Sequence, residues 1–237
     1  GYDIQYSTSA NMSGAASKHL TANKPDKLTI NGLTADKTYY VRVRSYTNVG
    51  SKTYYGPWSD IKNIKTAKYD ITKASVSGIS TKAYTGKAIT QNITVKYNGT
   101  ALKNGTDYTT SYSNNKKIGK AIVKITGKGK YGGVITKTFT INPAKQEIQK
   151  LTSKSKAFFV DWAQKGSATG YEIQYATNSK FTNAKKVTIK NNKTDKTTIS
   201  KLSGKKKYYV RVRSYTTVNG TKYYGAWSAS KSVTTKK

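Results

Sequence analysis

Arginine occupies only four positions, 42, 44, 211 and 213, and both pairs sit in the same aromatic setting. Residues 39–47 and 208–216 each read YYVRVRSYT, followed by YYG-x-WS at 54–59 and 223–228. Alternate residues of a strand share a face. Tyr209, Arg211, Arg213 and Tyr215 therefore stand together, beside Tyr223, Tyr224 and Trp227. Tyr40, Arg42, Arg44, Tyr46 and Trp58 repeat the set in the first copy. A guanidinium over an aromatic face is attracted by the ring quadrupole, by about 0.5–2 kcal/mol per contact. Tyr, Trp and Arg are also the residues that dominate contact surfaces. The set thus has two readings: a ladder that holds a sheet together, or a surface that binds a glycan or a protein.

Other chemistry is scarce. The single histidine, His19, is expected in a polar loop, with no Ser or Cys pattern that would make a triad. The acids are Asp3, Asp26, Asp36, Asp60, Asp70, Asp107, Glu147, Asp161, Glu172 and Asp195, and they are dispersed. Glycoside hydrolysis needs two carboxylates a few ångströms apart, and no Asp/Asn cluster has calcium-loop spacing. Cysteine is absent, so neither disulfides nor thiolate metal sites are available. Gly127-Lys-Gly129 and Gly132-Gly133 join strands and open no helix, so they read as turns and not as a phosphate loop. No catalytic residue, metal ligand or cofactor is expected.

The elements that position these residues are strands. Tyr (20 residues), Thr, Lys, Ser and Asn dominate, a mixture suited to half-buried strands and polar turns. No apolar run reaches 18 residues, so no membrane span is expected. The net charge is +33, and 39 of the 43 basic residues are Lys once the four Arg are subtracted. A specific nucleic-acid reader would favour Arg for bidentate contacts. Scattered Lys suits solvated surfaces and sheet edges, with a salt-screened attraction to polyanions added.

Residues 1–66 align without a gap onto 170–235, and 32 of the 66 positions are identical. GYDIQY at 1–6 answers to GYEIQY at 170–175. In the F-strand word, Leu202, Gly204, Tyr208, Val210, Val212 and Ser214 stand where a fibronectin type III module has Leu-x-Pro-Gly-x-x-Tyr-x-Val-x-Val-x-Ala/Ser, although Ser203 replaces the Pro. Leu33, Tyr39, Val41, Val43 and Ser45 match in the first copy, without the Gly. The chain resembles that family here, and the resemblance makes Tyr208 and Tyr39 tyrosine-corner residues. It places strand A at about 146–153 and strand B at 158–162, with Phe158, Val160 and Trp162 inward. The WS words resemble the Trp-Ser motif of cytokine-receptor fibronectin modules, where the stacking is structural. The first copy begins at strand C. A longer protein is the expected reading, and strands donated by another chain the alternative.

The middle stretch carries Tyr84-Thr-Gly86, Asn104-Gly-Thr-Asp-Tyr108, Asn114-Asn115 and Tyr131-Gly-Gly133, hairpin signals between alternating strands. It resembles a bacterial immunoglobulin-like repeat of Gram-positive surface proteins. The expected fold is therefore all-β: tandem immunoglobulin-like β-sandwiches. A partial fibronectin type III module spans 1–67, a bacterial Ig-like module 68–143 and a complete fibronectin type III module 144–237. These resemblances imply a secreted or cell-surface spacer. The alternative is an adhesion module for an anionic cell-wall polymer, a glycan or a host surface protein.

Overall fold

The structure, a computed structural model, describes residues 1–21 and 27–237. The first repeat supplies β1 (Tyr2–Ser7), β2 (Ala16–Leu20), β3 (Thr38–Val49), β4 (Lys52–Tyr55) and β5 (Lys62–Lys65). The middle stretch supplies β6 (Tyr69–Asp70), β7 (Ser75–Ser77), β8 (Lys82–Ala83), β9 (Thr94–Tyr97) and β10 (Thr100–Ala101). It continues with β11 (Tyr108–Ser113), β12 (Gly119–Gly127), β13 (Tyr131–Gly132) and β14 (Val134–Asn142). The second repeat and its lead-in supply β15 (Ile148–Lys154), β16 (Ala157–Trp162), β17 (Gly170–Ala176) and β18 (Lys185–Ile189). They end with β19 (Lys196–Ile199), β20 (Lys207–Val218), β21 (Thr221–Tyr224) and β22 (Lys231–Thr234). Among the described residues the one helical turn is the 3₁₀ turn Ile71–Lys73. The fold is all-β, built of tandem immunoglobulin-like sandwiches.

Two compact units are distinguished. One comprises Gly1–Ser75, Val95–Thr110 and Ile125–Ile135; the other comprises Val76–Thr94, Ser111–Lys124 and Thr136–Lys237.

In the second unit, β15-β16-β19 form one sheet and β18-β17-β20-β21 the other, with β22 on β20. Period-2 alternation sends one side of each strand inward. Phe158, Val160 and Trp162 from β16 thus meet Tyr171 and Ile173 from β17 and Val210 and Val212 from β20, all with no exposed surface. Trp162 packs against Tyr171, ring centroids 5.3 Å apart, as the alternation predicted. Its Nε1 is buried without a hydrogen-bond partner. The Tyr208 hydroxyl accepts the Ser203 N–H at 3.2 Å, the corner expected from the resemblance. A smaller core of Ile89, Ala121, Phe139 and Ile141 lies in the same unit.

In the first unit, β2-β1-β3-β4 form a sheet with β5 on β3, in the register of the second repeat. Ile4 faces Val43 here as Ile173 faces Val212 there. Tyr39 repeats the corner, accepting the Thr34 N–H at 3.0 Å, and that bond holds its hydroxyl below its ordinary pKa. Tyr69, Tyr97 and Tyr131 form an aromatic triangle with centroids 5.5–5.7 Å apart. Asn98 and Gly99 (φ +47° and +80°) turn β9 into β10, the hairpin geometry an Asn-Gly pair favours. Two pairings lie beyond short-range patterning: β13 with β6 in this unit, and β14 with β8 in the second, are parallel.

Candidate functional site

Register decides what each arginine meets. On β17 the residues opposite Arg211 and Arg213 are Gln174 and Glu172. The Arg211 Nε donates to Gln174 at 2.8 Å, and Arg213 donates to Glu172 through Nε (2.9 Å) and Nη2 (2.6 Å). The guanidinium planes then stack. Arg211 lies 4.1 Å from the centroid of Phe181 and 4.8 Å from Trp227; Arg213 lies 4.4 Å from Trp227 and 4.0 Å from Tyr224. The sequence of layers is Phe181, Arg211, Trp227, Arg213, Tyr224. Burial, and then the neighbouring Arg213 charge, lower the pKa of the Arg211 guanidinium.

The Trp-Ser word is what places the indole. Ser228 accepts the Val212 N–H on its Oγ (3.0 Å) and returns its own N–H to the Val212 carbonyl (2.8 Å). This strand-like clamp lays Trp227 across both guanidinium groups. Ser59 repeats it on Val43, at 3.1 and 2.8 Å. In that copy Arg42 donates to Gln5 and Arg44 to Asp3, and Trp58 lies 4.5 and 4.4 Å from the two guanidinium carbons. Tyr55 closes the stack, 3.7 Å from Arg44.

At the foot of each ladder is a carboxylate. Glu172, 2 % exposed at its side chain, meets Arg213 on one oxygen and Lys186 on the other at 3.1 Å. Burial raises its pKa, but the hydrogen bonds and charges of Arg213 and Lys186 outweigh it and hold the carboxyl below its ordinary value. Asp3, 5 % exposed, meets Arg44 at 3.0 Å and His19 Nδ1 at 2.6 Å. This corrects the placement of His19 in a loop: it lies in β2, opposite Asp3. The position is strand because β1 needs a hydrogen-bonded neighbour. Its counterpart Thr188 is neutral, and Lys186, the counterpart of Ser17, supplies the second cation instead.

Of the remaining candidates, Tyr215 is buried (3 % exposed) and not on an open surface. Gly170 explains why: a Cβ there would come within 2.8 Å of the Tyr215 hydroxyl, so the bare glycine makes room for the ring. Gly1 does the same for Tyr46. Tyr209, Tyr223, Tyr40 and Tyr46 are half-buried, and Tyr209 carries Lys207 over its ring at 5.3 Å. Phe181 was missed by pattern reading. It stands in a loop at φ +58°, and its counterpart Met12 is not aromatic, so the repeat gave no signal.

Three of the other acids serve local structure. Asp36 is paired to Lys65 at 2.8 Å, Asp70 caps Thr72, and Asp107 accepts the Lys103 N–H at 2.9 Å. Asp26 lies outside the described residues. Among the described residues no cluster of three or more His, Asp or Glu side chains could hold a metal ion. No helix among them is long and apolar enough to cross a membrane.

Comparison with known proteins adds the following. No curated protein sequence matches the chain. Among solved structures it is similar to the FN1–FN3 domains of chicken CNTN1, at 16 % identity and TM-score 0.36, covering 100 % of this chain and 88 % of that one. It is similar to a myokine at 14 % identity and TM-score 0.34, covering 40 % of this chain and 99 % of that one. It is also similar to the fn3 domain of human contactin 1, at 19 % identity and TM-score 0.34, covering 40 % and 81 %. The family model of the Fibronectin type III domain matches residues 142–231, the stretch that holds β15 to β21 and the complete ladder, so this part of the chain is a fibronectin type III-like module.

Proposed function

We propose that the chain is a non-catalytic spacer or accessory region of a larger secreted or cell-surface bacterial protein, presenting a head domain away from the cell wall. The observation that carries this reading is that both guanidinium groups of the complete ladder are covered. Each lies between two rings and donates edgewise to Gln174 or Glu172. Side chains so engaged hold β17, β20 and the 223–228 segment together and leave little to offer a ligand. Fibronectin type III modules are in general spacers or binding modules and not catalysts, which supports the same reading. The modules are 1–67, 68–143 and 144–237, with the middle one a bacterial Ig-like unit.

The second reading is adhesion to an anionic cell-wall polymer, a glycan or a host surface protein, favoured by the +33 net charge. A salt series separates the two. The chain is passed over Gram-positive cell walls and over mucin glycans at rising ionic strength. A spacer shows no retention, or weak retention gone by about 0.15 M salt, where the Debye length is near 8 Å. Retention that persists above that salt contradicts the spacer reading.

A further inference from the structure

A cavity of about 380 Å³ opens at the Tyr175 end of β17 in the complete module. That volume falls within the roughly 300–1,000 Å³ of small-molecule sites. Tyr175, Asn183, Lys185, Lys201, Leu202 and Tyr208 are among its lining. Lys185 is the unusual member. It stands directly opposite Tyr175, on the face of β18 from which Val187 and Ile189 pack against the core. The core-facing side of this strand thus ends on an ammonium group. No acid lines the cavity, and among the described residues neither Lys185 nor Lys201 joins an ion pair. Burial, and then the neighbouring Tyr208, raise the pKa of Tyr175, so its hydroxyl stays a neutral donor at neutral pH.

The internal repeat shows that the fold does not require these side chains. Asn183 and Lys201 hold φ +51° and +60°, in the left-handed region. Moved back by the 169-residue offset of the repeat, they become Gly14 and Gly32, which keep the same conformation at φ +63° and +77°. Glycine adopts it freely; asparagine tolerates it, and lysine does so at a cost. The counterpart of Lys185 is Ala16. The first copy therefore makes the same loops with nothing larger than a methyl group at all three places, while the second carries two ammonium groups and an amide there.

We propose that this cavity binds a sugar bearing a phosphate monoester, with the phosphate held between Lys185 and Lys201. Two ammonium groups complement the charge of about −1.5 to −2 that such a group carries at pH 7. The cavity is larger than a phosphate alone. The Tyr175 hydroxyl and the Asn183 amide supply hydrogen-bonding groups for the sugar, and Leu202 an apolar surface for its ring. A soluble probe reads this pocket separately from retention on walls or mucin, so its failure leaves the choice between spacer and adhesion untouched.

The test is a calorimetric titration of the full chain with glucose 6-phosphate at about 0.15 M salt, which screens the general attraction of a basic protein for anions. One saturable site is expected, at least tenfold tighter than for glucose or for inorganic phosphate. Lys201→Gly and Lys185→Ala install the first copy's residues, and each weakens binding at least tenfold. Lys201→Gly unfolds in denaturant no earlier than the native chain, because glycine relieves the backbone. Lys193→Ala removes an equal charge near the other end of β17, where the Tyr171 hydroxyl donates to the Asn192 carbonyl, and changes the affinity less than twofold. An oligosaccharide ending in the same 6-phosphate separates the two sources of this chemistry. Affinity kept assigns the ligand to a glycan end and affinity lost to a free sugar phosphate, each of them supporting the site. No saturation, equal binding of inorganic phosphate, or an equal loss in Lys193→Ala overturns the proposal. So does a Lys201→Gly chain that unfolds earlier, because the side chain would then be holding the fold.

Discussion

Replacing Trp162 with alanine lowers the unfolding free energy of the fibronectin-like module by about 3–5 kcal/mol, the range for truncating a fully buried large aromatic residue. The side chain has no exposed surface, and its ring packs against Tyr171 between the two sheets. Its removal takes away transferred apolar area and leaves a void that neighbours on three strands cannot all close. A second variant isolates the polar atom. The indole Nε1 has no partner, so Trp162→Phe removes a buried N–H that costs stability where it stands, along with part of the ring. The Phe variant therefore loses roughly half as much as the Ala variant, or less, because the unmade hydrogen bond offsets part of the cavity. Denaturant unfolding, followed by the exchange of the Ile173 and Val212 amides, reports both. A Phe variant as damaged as the Ala variant would mean that the nitrogen is satisfied.

Glu172→Ala costs about 2–3 kcal/mol. That is below the roughly 3–5 kcal/mol for breaking a fully buried ion pair, because the cations left behind are partly solvated, Lys186 at 51 % and Arg213 at 23 % exposed. Its carboxylate is what lets Arg213 and Lys186 lie close together. Without it two like charges remain at the foot of the ladder, one of them partly buried. Glu172→Gln keeps the shape and some of the hydrogen bonding, so it loses less. The two also differ in acid. The native carboxyl titrates below its ordinary value near 4.5. A depressed folded-state pKa gives stability that is fully present above the unfolded value and lost as pH falls through the folded one. The native module should therefore weaken as pH drops below about 4.5, and the Gln variant should show less of that loss. Matching acid profiles for the two would remove Glu172 from the account.

Much of this was readable in the residues. Two copies of YYVRVRSYT with GYxIQY ahead of them settle those strands and their faces, and the separate alternation of Phe158, Val160 and Trp162 puts Trp162 inward. Alternation also grouped Arg211, Arg213 and Trp227. It does not reveal cross-strand register, and register is what sets Gln174 and Glu172 under the arginines and His19 beside Asp3. Nor does it show what covers a face. Tyr215 shares the arginine side of β20 yet is buried, because Gly170 admits its ring. Phe181 reaches the stack from a loop whose backbone conformation carries no sequence period. The interchange of Lys186 and His19 was hidden because the two cations sit at different positions of the repeat and converge only in space.

The central claim is that the ladder is a structural clamp, and Trp227→Ala tests it most directly. Trp227 is the shared layer between Arg211 and Arg213. At about 0.5–1 kcal/mol for each cation–π contact, its loss should cost the module roughly 1–2 kcal/mol in denaturant unfolding. The clamp account predicts that fall. An unfolding curve unchanged by the substitution would contradict it and return the ladder to the status of a surface awaiting a ligand.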